Sequence, residues 1–120
     1  MTRVDGRGLF FDALAVVVFV AIGRMQHDGD GAFAPDEVLR TLWPFLGGLL
    51  IAVVVLTISA TTYSRVAAGG AVALLTALCG LALRYASGQG IAVSFAIVTL
   101  IVLGVLMIGW RLIVNTVSRA

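Results

Sequence analysis

The sequence predicts an all-α integral membrane protein, a four-helix bundle in which successive helices are antiparallel, up-down neighbours. Of its 120 residues, 61% are hydrophobic and 12% charged, whereas soluble globular chains run at roughly 45–50% apolar and about 25% charged. Mean hydropathy is +1.12. The few charges sit at the ends of long apolar stretches, and residues 66–83 and 91–110 carry none. Runs of that length cross roughly 30 Å of hydrocarbon at about 1.5 Å rise per residue.

The first span is expected over residues 9–27, with Asp12 interrupting it ahead of the unbroken apolar run 13–22. A secretory signal is the competing reading, given Arg3 and Arg7 before an apolar middle and Ala21-Ile22-Gly23 after it. Asp12 is out of place in such a signal, so a retained span is favoured. The second span is expected over 41–60, with Thr41 as N-cap, Pro44 in the first turn and Trp43 at the interface. The third is expected over 66–85 and the fourth over 91–114, the latter anchored by Trp110 and Arg111. Connections 61–65 and 86–90 are short, which makes the helices they join antiparallel neighbours. Residues 28–40 read as the polar loop, and the whole chain, 1–120, as a single transmembrane domain with no room for a second.

Arginine placement predicts orientation. With the N-terminus in the cytoplasm, Arg3, Arg7, Arg65, Arg111 and Arg119 face inward and Arg24, Arg40 and Arg84 outward. This agrees with the positive-inside rule and places both termini in the cytoplasm. The expected location is therefore the cytoplasmic (inner) membrane, crossed several times.

Composition also excludes functions. All eight basic residues are Arg, the net charge is only +2, and no basic cluster or stripe is present to meet a phosphate backbone, so nucleic acid is not an expected partner. The single Cys79 lies in the third span and reads as a packing residue. One histidine among scattered acids has no metal-ligand spacing, so no metal and no cofactor is assigned. No serine stands in a nucleophile-elbow context, and no enzymatic chemistry is expected.

Small residues are expected at helix contacts: Gly47, Gly48, Gly69, Gly70, Gly80, Gly104 and Gly109 would let backbones approach in a medium that supplies no hydrophobic drive for association. Thr57, Ser59, Thr76, Ser94 and Thr99 are expected to return their hydroxyls to carbonyls of their own helices.

Two charged constellations are the candidate sites. Asp12, about a turn into the first span, and Arg111, near the end of the fourth, arrive at similar depth and are expected to pair as a clamp on helix register, the alternatives being a proton or ion role for Asp12 and simple snorkelling to water. At the opposite surface Arg24 and His27, spaced i, i+3, would share a side with Asp28 beside them; Arg84 rises to the same level and Trp43 stands nearby. These could hold a lipid phosphate, a carboxylate or a polar headgroup, the competing and favoured reading being that Arg24 and Arg84 simply sit at the headgroup interface as arginines at helix ends usually do.

Gly23-Arg24-Met25-Gln26-His27-Asp28, Trp43-Pro44-Phe45-Leu46 with Gly48, Gly80 with Arg84, Ser94-Phe95 and Gly109-Trp110-Arg111 together resemble the signature of the DUF3054 group, four-span membrane proteins of actinobacteria and haloarchaea whose function is unknown. The resemblance covers Asp12 to Arg111 and implies an inner-membrane location in an actinobacterium. Leu49-Leu50 and Ala73-Leu74 stand where members often carry Gly-Trp and a further Trp.

The function expected is a structural, accessory or lipid-binding bundle, with membrane lipids and a larger membrane complex or further copies of the chain as partners. The alternative is a small proton-coupled transporter or ion channel acting as an oligomer. In size and in its single acidic residue within a span the chain is similar to small multidrug exporters, but Asp12 lies nearer the membrane edge than their central glutamate.

Overall fold

Proline marks the start of the second helix in the computed structural model. It describes residues 6–25, 34–59, 62–89 and 93–119. These contain α1 (Gly6–Met25), α2 (Pro35–Ile58), α3 (Val66–Ala86) and α4 (Val93–Arg119), and all four are long and apolar enough to cross a membrane.

The second helix corrects the sequence reading. It starts at Pro35, so residues 35–40 belong to α2 and not to a polar loop, Thr41 is not its N-cap, and Pro44 lies inside it. The physical reason is that Pro35 pre-sets a helical φ where no N–H partner is needed, while Asp36 and Glu37 place negative charge in the first turn against the helix dipole. Thr41 instead donates its hydroxyl back to the carbonyl of Glu37 at 3.1 Å. Pro44 brings no N–H, which would orphan the carbonyl of Arg40 one turn earlier. The side-chain amide of Gln89 takes that carbonyl at 2.9 Å from beyond the end of α3. The fourth helix also runs past the expected end, to Arg119. There the Asn115 amide donates to the carbonyls of Arg111 at 2.6 Å and Ser64 at 3.1 Å.

The helices form a ring in which α1 and α3 each pack against both α2 and α4, and the α2–α3 contact is the most extensive. Glycine explains that closeness. A β-carbon on Gly48 would fall 2.6 Å from the carbonyl oxygen of Thr76 and 2.9 Å from the backbone nitrogen of Gly80, while the position a Gly80 β-carbon would take is covered by the Phe45 ring. Gly69 makes the equivalent approach to α4, against Arg111 and the Met107 carbonyl. Gly70, Gly104 and Gly109 do not serve as contacts, since a β-carbon at each would meet nothing within 4 Å among the described residues.

Phe19 of α1, Phe45 of α2 and Phe95 of α4 form a three-helix aromatic junction, with centroids 5.0, 5.9 and 6.1 Å apart. Such pairs add about 0.5–1.5 kcal/mol each beyond the area they bury. Large apolar side chains cover the outside as well, among them Phe10, Leu50, Val105 and Ile113. In hydrocarbon these require no cover. The hydroxyls of Thr57, Ser59 and Thr99 return to carbonyls of their own helices, as expected. The Thr76 hydroxyl departs from this, being buried without a hydrogen-bond partner among the described residues, and among them no such bond is seen for Ser94.

Gly48→Ala and Gly80→Ala are each expected to lower unfolding free energy by about 1–3 kcal/mol through overpacking, measured by denaturation in mixed micelles. Gly104→Ala faces open space and should be neutral or slightly stabilising, because alanine is the better helix former by about 0.5–1 kcal/mol.

Candidate functional site

A carboxylate inside a bundle must fill its acceptor positions from its own protein, and Asp12 does so completely. It lies in the second turn of α1 and is fully buried, as is Arg111 of α4. The two meet in a bidentate pair: Arg111 Nη1 donates to Asp12 Oδ1 at 2.9 Å and Nη2 to Oδ2 at 2.8 Å. Trp110 Nε1 donates to Oδ1 at 2.7 Å, and the Tyr63 hydroxyl donates to Oδ2 in a short hydrogen bond. Each carboxylate oxygen thus has two donors.

The guanidinium is held equally well. Its Nε donates to the carbonyl of Tyr63 at 3.0 Å and its Nη1 also to the carbonyl of Met107 at 2.9 Å. The Tyr63 and Trp110 rings flank it, 4.8 and 4.3 Å from Cζ. Gly8 makes the space for both rings, since a β-carbon there would stand 3.0 Å from Trp110 and 3.2 Å from Tyr63.

Tyr63 sits in the turn between α2 and α3, outside both helices. Burial pushes its phenol well above the usual value near 10, and hydrogen bonding to the Asp12 carboxylate acts in the same direction. The folded state therefore favours the neutral phenol, whose stabilising contribution is intact below about pH 10 and is lost as pH rises beyond it.

The network therefore joins α1, the α2–α3 turn and α4. The structure brings Asp12 and Arg111 together; Tyr63 and Trp110 were not identified from sequence as members of the site. Trp110, read there as an interface anchor, is a hydrogen-bond donor to the carboxylate. The missing signal was acceptor arithmetic: a bidentate arginine fills only half of a carboxylate, so two further donors at that depth were needed.

Arg24, Arg40 and Arg84 gather at the other end of the bundle, Arg40 and Arg24 lying close enough to Arg84 for their charges to act on it. Arg24 makes a 3.9 Å ion pair with Glu37. Arg84 stacks over Phe95 at 4.6 Å and donates to Gln89 Oε1 at 3.2 Å, the same side chain that takes the Arg40 carbonyl. Arg24 and Arg84 share a cavity of about 70 Å³ with Thr41 and Phe95. Trp43 does not join it; its side chain is among the exposed large hydrophobics at 45%. His27 and Asp28 lie outside the described residues.

A four-helix membrane bundle stapled at one end by a saturated ion pair, with arginines gathered at the other, defines the class of protein. The chain belongs to the DUF3054 family of proteins of unknown function, whose sequence model matches residues 9–114. No curated protein and no solved structure gives a significant match.

Asp12→Ala and Arg111→Met are each expected to destabilise by about 3–5 kcal/mol, because each leaves an unpaired buried charge. The double substitution Asp12→Leu with Arg111→Met should recover most of that loss, and a double-mutant cycle in mixed micelles measures the difference. Stability should also fall as pH is raised above about 10, and Tyr63→Phe should flatten that slope while lowering stability at neutral pH by about 1–3 kcal/mol for the donor removed.

Proposed function

We propose that this protein is an accessory bundle of the cytoplasmic membrane that holds lipid or partner helices and does not move solute. The observation that carries the reading is the state of Asp12, a carboxylate with four donors and no exposed surface. A proton-coupled exchanger needs a carboxylate that can lose its partners to a substrate or a proton during the cycle. Freeing Asp12 would break a bidentate charged pair and strand Arg111, a penalty of about 3–5 kcal/mol. The same group used as a staple needs no such step. Binding of lipid is supported by the arginines at the opposite end, where guanidinium groups meet both a polar cavity and apolar helix surface.

The proposed topology has both termini in the cytoplasm, supported by the five arginines on that side against three on the other. The Asp12 network then lies toward the cytoplasm and the Arg24–Arg84 end away from it. No catalytic role is part of this reading.

Proteoliposomes loaded with a pH-sensitive dye test the central point. Wild type and Asp12→Asn are expected to give the same background proton flux, with or without organic cations. A proton-linked flux in wild type that Asp12→Asn abolishes would overturn the reading. Mild-detergent purification with mass spectrometry should recover bound lipid or a stoichiometric membrane partner.

A further inference from the structure

The burial boundary along α2 falls at its internal proline. Every buried residue of this helix lies at Pro44 or beyond it, as far as Leu56, while none of residues 35–43 is buried. The inner part is fixed. Gly48 brings its backbone against Thr76 and Gly80 of α3, and the Phe45 ring covers Gly80 and meets Phe19 and Phe95. The outer part stands off α1 across an apolar groove of about 220 Å³, with Val17, Val20 and Ala21 on one wall and Val38 and Leu42 on the other. The ion pair from Arg24 to Glu37 spans the same interface at 3.9 Å.

Pro44 supplies no N–H, so α2 lacks one intrahelical hydrogen bond where its two parts join. The Arg40 carbonyl left over is taken by the Gln89 amide at 2.9 Å. Gln89 comes from beyond the end of α3, and its oxygen accepts from Arg84 of that helix. Because α2 packs between α1 and α3, Gln89 holds the outer part of α2 from the α3 side, while the unfilled groove lies on the α1 side.

We propose that residues 35–43 of α2 form a strap, hinged at Pro44 and latched by Gln89, that closes onto α1 across the groove when the hydrogen bond to the Arg40 carbonyl opens. The inference is independent of the accessory reading above. Proline kinks exceed about 20°, and eight residues of helix rise roughly 12 Å, so such a tilt at Pro44 moves Asp36 by roughly 4 Å. The two positions differ little in apolar contact, because acyl chains fill the groove when the strap is open and the strap fills it when closed. One hydrogen bond, worth about two- to tenfold in an equilibrium, is then enough to decide between them. Closure carries Glu37 toward Arg24, so that ion pair is kept in both positions.

Double electron–electron resonance on the full chain in liposomes reads the strap directly. Spin labels on Asp36→Cys and Ile22→Cys, both at exposed positions, report the separation of strap and α1, with Cys79→Ser removing the native thiol. A second pair, Leu14→Cys with Leu50→Cys, reports the separation of α1 and α2 on the inner side of the hinge. Gln89→Glu keeps the acceptor for Arg84 and loses the donor to the Arg40 carbonyl, and Gln89→Met loses both. Each is expected to raise the population of the strap pair that lies roughly 4 Å closer by about two- to tenfold over wild type, while the inner pair stays unchanged. Pro44→Ala restores the N–H that holds the Arg40 carbonyl within the helix, and should abolish the closer population in the Gln89→Glu background.

Unchanged strap distances in either Gln89 variant overturn the proposal. An equal shift of the inner pair also overturns it, since the whole helix would then be moving. Persistence of the closer population in folded Pro44→Ala with Gln89→Glu removes the hinge. Pro44 is buried, so melting temperature checks that variant; Gln89 lies outside the helices, and its two substitutions decide the matter without it.

Discussion

The buried contact between Asp12 and Arg111 is the constraint to which the rest of the bundle conforms. Neither charge is tolerable alone in a low-dielectric interior, and in lipid there is no water to complete a partial shell. Every remaining acceptor and donor position must come from protein. That requirement explains why a turn residue, Tyr63, is drawn fully into the interior and why Trp110 faces the carboxylate with its indole N–H. It also explains Gly8 and Gly69, whose missing side chains admit the aromatic rings and the arginine stem. Because the pair joins the first and last helices, it closes the ring of helices at the end where it lies.

Elsewhere the bundle relies on backbone proximity and aromatic contact. The α2–α3 seam depends on Gly48 and Gly80 facing each other, with Phe45 laid across the latter and carried on to Phe19 and Phe95. Pro44 lies beside that seam within α2, and the hydrogen bond it forgoes is replaced from outside the helix by Gln89. A residue just past the end of α3 therefore supports the interior of α2 and orients Arg84 with the same amide.

Much of this was legible in the sequence because the bilayer restricts the options. Apolar runs free of charge can be little else than spans, and two lone charges at matching depth have few alternatives to meeting. The start of α2 is hard to place from sequence because Pro44 has the look of a first-turn proline, whereas Pro35, followed by Asp36 and Glu37, is the stronger start signal. Glycines could be counted but not aimed: Gly48 and Gly104 read alike in one dimension, and only the helix rotation set by neighbouring contacts separates a seam residue from one facing outward. Trp43 was grouped with the arginines by proximity along the chain, yet its angular position on α2 turns it away from them while Thr41 faces them. Tyr63 was invisible because a turn residue has no periodicity to reveal its direction.

The span of sequence between Asp12 and its guanidinium partner bears on biogenesis. Ribosomes deliver α1 long before α4, so the acid enters the translocation machinery with its principal counter-charge still unsynthesised. Until α4 emerges, α1 carries a carboxylate without its arginine partner, and such a segment is accommodated beside a protein channel or shallow in the headgroup layer. Synthesis of α4 supplies the counter-charge that lets α1 settle against the rest of the bundle.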